Sequence, residues 1–212
     1  MIPAWIVCLT SLFAATLYLP LTPAEPSPRR SVIKTIPLLG FAIAATLWSA
    51  PPLLIAALIL SAAGDLALSR PGRAAFLYGL SAFALAHLLY ILIFQAAGTG
   101  PLWEAFSHAP LAAAALILLA LSTELWLTPH TGGLAWPVRI YIALITAMGL
   151  AALGLPGLAV MGAALFIASD TLLALHLFRL TPASPARKPT GYAVWTLYIA
   201  GQFLILLAFT LA

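Results

Sequence analysis

The stretch GLAVMGAALFIASDTLLALHLF, Gly157 to Phe178, decides how this chain is read. It is apolar almost throughout and close to the roughly 20 residues that a bilayer-crossing helix needs, yet Asp170 stands inside it. The only other aspartate, Asp65, has a similar setting, Ala63-Gly64-Asp65-Leu66-Ala67-Leu68, against Ala168-Ser169-Asp170-Thr171-Leu172-Leu173. A carboxylate at the centre of a membrane helix costs about 2.5–3.5 kcal/mol on insertion scales. Two central, ionised ones would cost about 5–7 kcal/mol on the same scale. Such residues face a bundle interior or a wet cavity and mark functional sites.

Composition outside that stretch points the same way. Of 212 residues, 64% are hydrophobic and 7% charged, against about 25% charged in an ordinary soluble domain. That inventory cannot dress a water-soluble surface, so the fold class is all-α: a polytopic transmembrane helix bundle forming a single integral membrane domain over residues 1–212. About eight apolar spans recur between proline, glycine and arginine punctuation: Pro3–Pro20, Val32–Trp48, Pro52–Ser69, Ala74–Ala96, Ala109–Leu127, Trp136–Leu153, Gly157–Phe178 and Gly191–Leu211. Prolines 51, 52, 110, 137 and 156 sit near span starts, where a missing N–H costs little. The single cysteine, Cys8, rules out an intrachain disulfide and a multi-cysteine metal site.

The cations test the number of spans. With loops on alternating sides, Arg29, Arg30, Lys34, Arg70, Arg73, Arg139, Arg179, Arg187 and Lys188 all fall on one face and none on the other. One span more or fewer would scramble that partition. By the positive-inside rule the basic face is cytoplasmic and both termini lie outside. This location accounts for the net charge of +4 without a nucleic-acid partner; the expected surroundings are the lipid bilayer, in a bacterial inner membrane given the Ala-, Leu- and Pro-rich composition. Met1–Ala24 has a rival reading as a cleaved signal peptide, since Thr22-Pro23-Ala24 imitates a cleavage site although no basic n-region precedes it. Removing it would leave both aspartates undisturbed.

Depth separates the two acids. Asp65 lies roughly 6 Å from the cytoplasmic end of its helix and Asp170 roughly 13 Å, at 1.5 Å per residue. An interfacial acid beside Arg70 and Arg73 is the plain alternative for Asp65; helix capping or a lysine partner is the plain alternative for Asp170. Lys34, at the cytoplasmic start of the second span, either snorkels or keeps a carboxylate ionised and grips a lipid phosphate. Phe83, His87, Tyr90 and Phe94 share one helical face. Tyr141, Ile145 and Met148 share another, as do Trp195, Tyr198 and Gln202, whose buried amide needs partners. His108 and His130 fall in or beside loops, His176 falls near a helix end, and Glu124 and Arg139 are positioned to pair across a loop. The Asp65 and Asp170 spans occupy corresponding places if the chain is two four-helix halves. With an even number of spans in each half, such a repeat is parallel, and both aspartates enter from the same side.

The ordered set Lys34-x-x-Pro37, Gly64-Asp65, Ala86-His87-x-x-Tyr90, Tyr141 with Met148, Ser169-Asp170 and Gly201-Gln202 resembles the YhhN family of membrane proteins, which includes the lysoplasmalogenases. The resemblance runs from about Val32 to Leu211. It implies an eight-helix hydrolase that splits the vinyl ether bond of lysoplasmalogens, alkenyl lysophospholipids, into a fatty aldehyde and a glycerophospho-base.

Two carboxyl groups suit that chemistry. Vinyl ether hydrolysis is limited by protonation of carbon, which demands a positioned general acid. Water then captures the oxocarbenium ion, as in the acid–base pairs of glycosidases. Two acids in contact do not both ionise easily, so one can carry the proton while the other stays charged. Asp65 and Asp170 are the expected pair, with neither assigned as the acid. Lys34, His87, Tyr90, Tyr141, Tyr198 and Gln202 are expected around substrate and water, with no metal and no cofactor required. Two rivals remain: a small proton-coupled transporter carrying protons on the two aspartates, and an intramembrane aspartyl protease, whose Gly-x-Gly-Asp signature is here Ala62-Ala63-Gly64-Asp65.

Overall fold

A computed structural model describes residues 3–98 and 100–211, and their regular secondary structure is entirely helical. In chain order the helices are α1 (Ala4–Tyr18), α2 (Pro28–Leu47), α3 (Pro52–Leu68), α4 (Arg73–Ala97), the short α5 (Ala105–His108), α6 (Pro110–Trp126), α7 (Ala135–Ala152), α8 (Gly157–Phe178) and α9 (Arg187–Ala208). Among the described residues, seven helices are long and apolar enough to cross a membrane; α3, with 17 residues, is the shorter apolar helix that brings the set to eight.

The outer surface is that of a molecule solvated by hydrocarbon. Leu111 and Leu125 are 86% and 82% exposed, and Leu9, Phe13, Leu118 and Leu121 also point outward. On a water-soluble domain such a continuous apolar shell would drive association; around a bundle of this length it matches the lipid tails. Inside, Phe41, Leu54, Leu58, Phe94, Met148 and Phe166 are fully buried.

Sequential helices pack against one another from α1 to α4 and from α6 to α9, and the two sets meet chiefly where α4 lies on α7 and α2 on α9. The tightest approach is between α8 and α9. A Cβ on Gly201 would stand 2.8 Å from the carbonyl oxygen of Gly162, so hydrogen is the only side chain either position accepts without the helices separating.

Two helices begin earlier than their apolar stretches. α2 starts at Pro28 rather than Val32, because Ser27 caps it by accepting from the Arg30 N–H at 3.2 Å and proline occupies the first turn. α9 starts at Arg187 rather than Gly191; the Arg187 guanidinium donates to the carbonyls of His176 and Leu180 at 3.1 and 3.0 Å, closing the end of α8. Hydropathy marks the apolar core of a bilayer, whereas these first turns belong to its polar margin. The cations tie the same end of the bundle together. Arg30 donates to the carbonyls of Leu21 and Thr22, Arg73 to that of Gly133, and Arg179 contacts His130. Arg139 forms a two-pronged bond with Glu124 at 2.9 and 2.7 Å, joining α6 to α7.

Candidate active site

Asp65 and Asp170 line one cavity of about 320 Å³ that reaches in from the basic end of the bundle. Asp65 is 2% exposed, so its charge is not dissolved in solvent; it is met inside the protein. Lys34 Nζ lies 3.1 Å from Oδ1, and the Tyr198 hydroxyl donates to Oδ2 at 2.8 Å. Each carboxylate oxygen therefore has a donor of its own, one from α2 and one from α9. Breaking such a buried pair by removing one member costs about 3–5 kcal/mol, mostly because the other charge is stranded. The plain reading of Asp65 as an interfacial acid facing Arg70 and Arg73 gives way to this pairing with Lys34.

Asp170 has different company. The Tyr141 hydroxyl donates to its Oδ2, and His87 Nε2 is 2.9 Å from the Tyr141 oxygen and 3.7 Å from the same carboxyl oxygen. Because Tyr141 spends its proton on Asp170, His87 must donate from Nε2 to the phenol oxygen. Among the described residues His87 Nδ1 is buried with no hydrogen-bond partner. The result is a one-directional chain from α4 through α7 to α8: imidazole, phenol, carboxyl.

Why these side chains meet follows from helix geometry. Lys34 stands six residues beyond Pro28 at the start of α2, and Tyr141 six beyond Ala135 at the start of α7; Asp65 and Asp170 each stand thirteen beyond the first residues of α3 and α8, Pro52 and Gly157. Each acid therefore stands about 20 Å from the start of its helix, at 1.5 Å per residue. Pro37, one turn beyond Lys34, withholds the N–H that the Ile33 carbonyl would otherwise accept. Gly64 has a packing reason: a Cβ there would lie 2.6 Å from the Phe83 ring, which fills the wall between the acids.

The expected site residues thus fall into three places. Lys34, Asp65, Asp170 and Tyr198 line the cavity, His87 and Tyr141 support Asp170 from behind, and Tyr90 and Gln202 lie outside the cavity wall. Tyr90 donates to Gln202 Oε1 at 2.6 Å while Gln202 Nε2 donates to Ser61 Oγ at 3.0 Å, a closed network joining α4, α9 and α3. Ser61 is one turn before Asp65 on the same face, the signal by which the sequence could have revealed it. Also unforeseen were Tyr18, Thr22 and Val194 in the cavity wall, and the Ser169 hydroxyl, which donates to the Val194 carbonyl at 2.8 Å. Arg30 and Arg70 line the mouth. His108 lies at the end of α5, 3.7 Å from Glu104.

Comparison with known proteins places the chain in a family. The YhhN family profile matches residues 29–209, which contain every residue of the site except those contributed by α1 and the turn after it. The chain belongs to the YhhN family. The Mycobacterium bovis protein named lysoplasmalogenase is 35% identical over 165 residues, covering 74% of this chain and 59% of that protein. Human lysoplasmalogenase TMEM86B is 35% identical over 191 residues, covering 84% of this chain and 74% of the relative, and the pig protein of the same name is 38% identical over 160 residues, with 72% and 61% covered. The matched part of this YhhN chain therefore spans under two thirds of the mycobacterial protein's length. No solved structure matches it significantly.

Proposed function

We propose that this YhhN protein is a membrane hydrolase that cleaves the vinyl ether bond of lysoplasmalogens, releasing fatty aldehyde and a glycerophospho-base. The observation that carries the reading is the pair of unlike carboxyl groups on one cavity wall: Asp65 held by a lysine and a phenol, Asp170 held by a phenol and an imidazole. The relatives named lysoplasmalogenase favour this chemistry over solute transport and over intramembrane proteolysis.

The partners suggest the division of labour. The partly exposed Lys34 ammonium, 3.1 Å from Asp65, favours the ionised carboxylate there. Asp170, met by the Tyr141 phenol, is the group we assign to carry the proton. Tyr141 occupies Oδ2, so the acidic proton sits on Oδ1. In the first step that proton passes to the alkenyl carbon one bond away from the ether-bearing carbon, and the electron pair of the double bond forms the new C–H bond. The cation left behind is an oxocarbenium ion, and the Tyr141 hydroxyl steadies the new Asp170 carboxylate as its charge develops. Water then attacks the oxocarbenium carbon and gives a proton to Asp65. The hemiacetal collapses when its hydroxyl proton returns to Asp170 and the glycerol oxygen departs with the proton held on Asp65. Both acids finish as they began, and one water is consumed.

Arg70 is exposed at the cavity mouth, where a phosphate would meet it, and Lys34 lies deeper. The membrane placement, with the basic end cytoplasmic and both termini outside in a bacterial inner membrane, rests on the one-sided distribution of the cations. The test is direct. Purified protein is incubated with 1-alkenyl lysophosphatidylethanolamine and aldehyde is measured by mass spectrometry, with Asp65→Asn and Asp170→Asn alongside. Aldehyde from the wild type and none from either folded variant is the expected result; a folded wild type that yields no aldehyde across several head groups would overturn the reading.

A further inference from the structure

A second, narrower space of about 100 Å³ runs beside the catalytic cavity, between α6, α7 and α8, and its walls are almost wholly apolar. Asp170 belongs to both walls, together with Phe83 and Leu173. We propose that this groove receives the hydrocarbon chain of the lysolipid, so that the chain lies on one side of Asp170 and the phosphate-bearing head on the other.

The inference rests on the lysoplasmalogenase reading and adds to it where the substrate lies. In an alkenyl lysolipid the apolar chain meets the polar glycerol at one point, the vinyl ether itself. In the protein, the cavity and the groove share a wall made of Leu68, Phe76, Phe83, Asp170, Leu173 and Leu177, and Asp170 is the one polar side chain in it. Superimposing the two boundaries puts the double bond beside the proton donor. The groove runs from Ile167 to Phe178 along α8, eleven residues or about 16 Å.

The helix that roofs the groove is unlike the others. α6 packs chiefly on α7 and buries only Ala113 and Thr123, while Leu118, Leu121 and Leu125 face outward. Its inner face, including Leu116, Leu119 and Ala120, lines the groove, and Leu116 also reaches Gly149 of α7. A chain leaving the bilayer for such a groove gains little hydrophobic energy, because lipid tails are as apolar as leucine. The groove therefore acts by registry: it fixes where the double bond stops, which is the kind of positioning that accelerates a proton transfer.

Two measurements test this. A saturated 1-alkyl lysophosphatidylethanolamine carrying a diazirine in its chain, which needs no turnover, is photolysed with the wild-type protein in detergent and the labelled peptides are mapped. Labelling at Leu116, Leu119 or Ile145 is expected; labelling confined to outward residues such as Leu121 and Leu125, or to Tyr18 and Val194 of the polar cavity, overturns the groove. In parallel, Ala120→Trp is compared with the lipid-facing control Leu121→Trp on short- and long-chain alkenyl substrates. The groove variant is expected to lower kcat/KM for the long chain about tenfold relative to the short one, on the scale of a lost methylene contact, with the control unchanged. Equal effects on both chains, or none, overturn the proposal. Labelling in the groove by a protein that cleaves no vinyl ether would keep the chain site and remove the hydrolase reading, so the two can fail separately.

Discussion

The α1–α4 half and the α6–α9 half hold their aspartates in the same way with different chemistry. Each acid lies at the same offset along the third long helix of its half, and each has a partner on the second helix of its own half and one on the fourth helix of the other: Lys34 and Tyr198 for Asp65, Tyr141 for Asp170 with His87 behind the phenol. The contacts between halves, α4 on α7 and α2 on α9, are the corresponding pair. The two halves thus place their carboxyls at equal offsets along corresponding helices, while one exchange, lysine for tyrosine, gives them unlike partners. Asp65 has an ammonium beside it, whereas Asp170 has a phenol. Unlike carboxyls are what an acid-initiated hydrolysis needs.

If the partner decides the charge, the largest effect comes from making the halves alike. Tyr141→Lys would pair Asp170 with an ammonium and strip its proton; aldehyde release should fall by about three orders of magnitude, the range of a lost general acid, matching Asp170→Asn. Activity near wild type in a folded Tyr141→Lys protein would dissolve the distinction between the halves. Next in size is a change of stability. Lys34→Met strands the Asp65 carboxylate and should cost about 3–5 kcal/mol, seen as a large drop in melting temperature in detergent. The double variant Lys34→Met/Asp65→Asn should regain most of that loss and none of the activity.

Smaller again are the phenols. Tyr141→Phe and Tyr198→Phe each remove one hydrogen bond to a charged or charge-developing group, worth about 1.5–3 kcal/mol. Tyr141→Phe should appear mainly in kcat, because its bond strengthens as Asp170 loses its proton, whereas Tyr198→Phe should appear mainly in thermal stability. Steady-state kinetics and melting curves on the two variants would reverse the comparison if the pattern were opposite. Least affected should be Arg139→Ala, which breaks the exposed bond to Glu124 at the rim and should leave kcat/KM and melting close to wild type.

Much of this was legible in the chain. An interior aspartate is too costly in an apolar helix to be incidental, so Asp65 and Asp170 announced the site. A chain with 7% charged residues had to be a membrane bundle, and the spacing of its apolar stretches gave about eight spans, against seven long apolar helices and one shorter one among the described residues. The Glu124–Arg139 pair was visible from a charge on either side of one short loop. Helical periodicity also put His87 with Tyr90, and Tyr198 with Gln202, on shared faces.

Periodicity orders side chains around one helix, however, and says nothing about which helix lies opposite. That is why His87 and Tyr90, one turn apart, serve different networks: His87 faces α7 and its tyrosine, Tyr90 faces the Gln202 amide of α9. It is also why Lys34 could be read as a snorkelling cation until packing brought α2 against α3 and set its ammonium 3.1 Å from Asp65. The composition of the chain determined its solvent, its secondary structure and the residues too expensive to be ornamental, because those follow from local transfer energies. Which side chains meet each carboxyl was decided by contacts between helices far apart in the chain, and only close packing creates those.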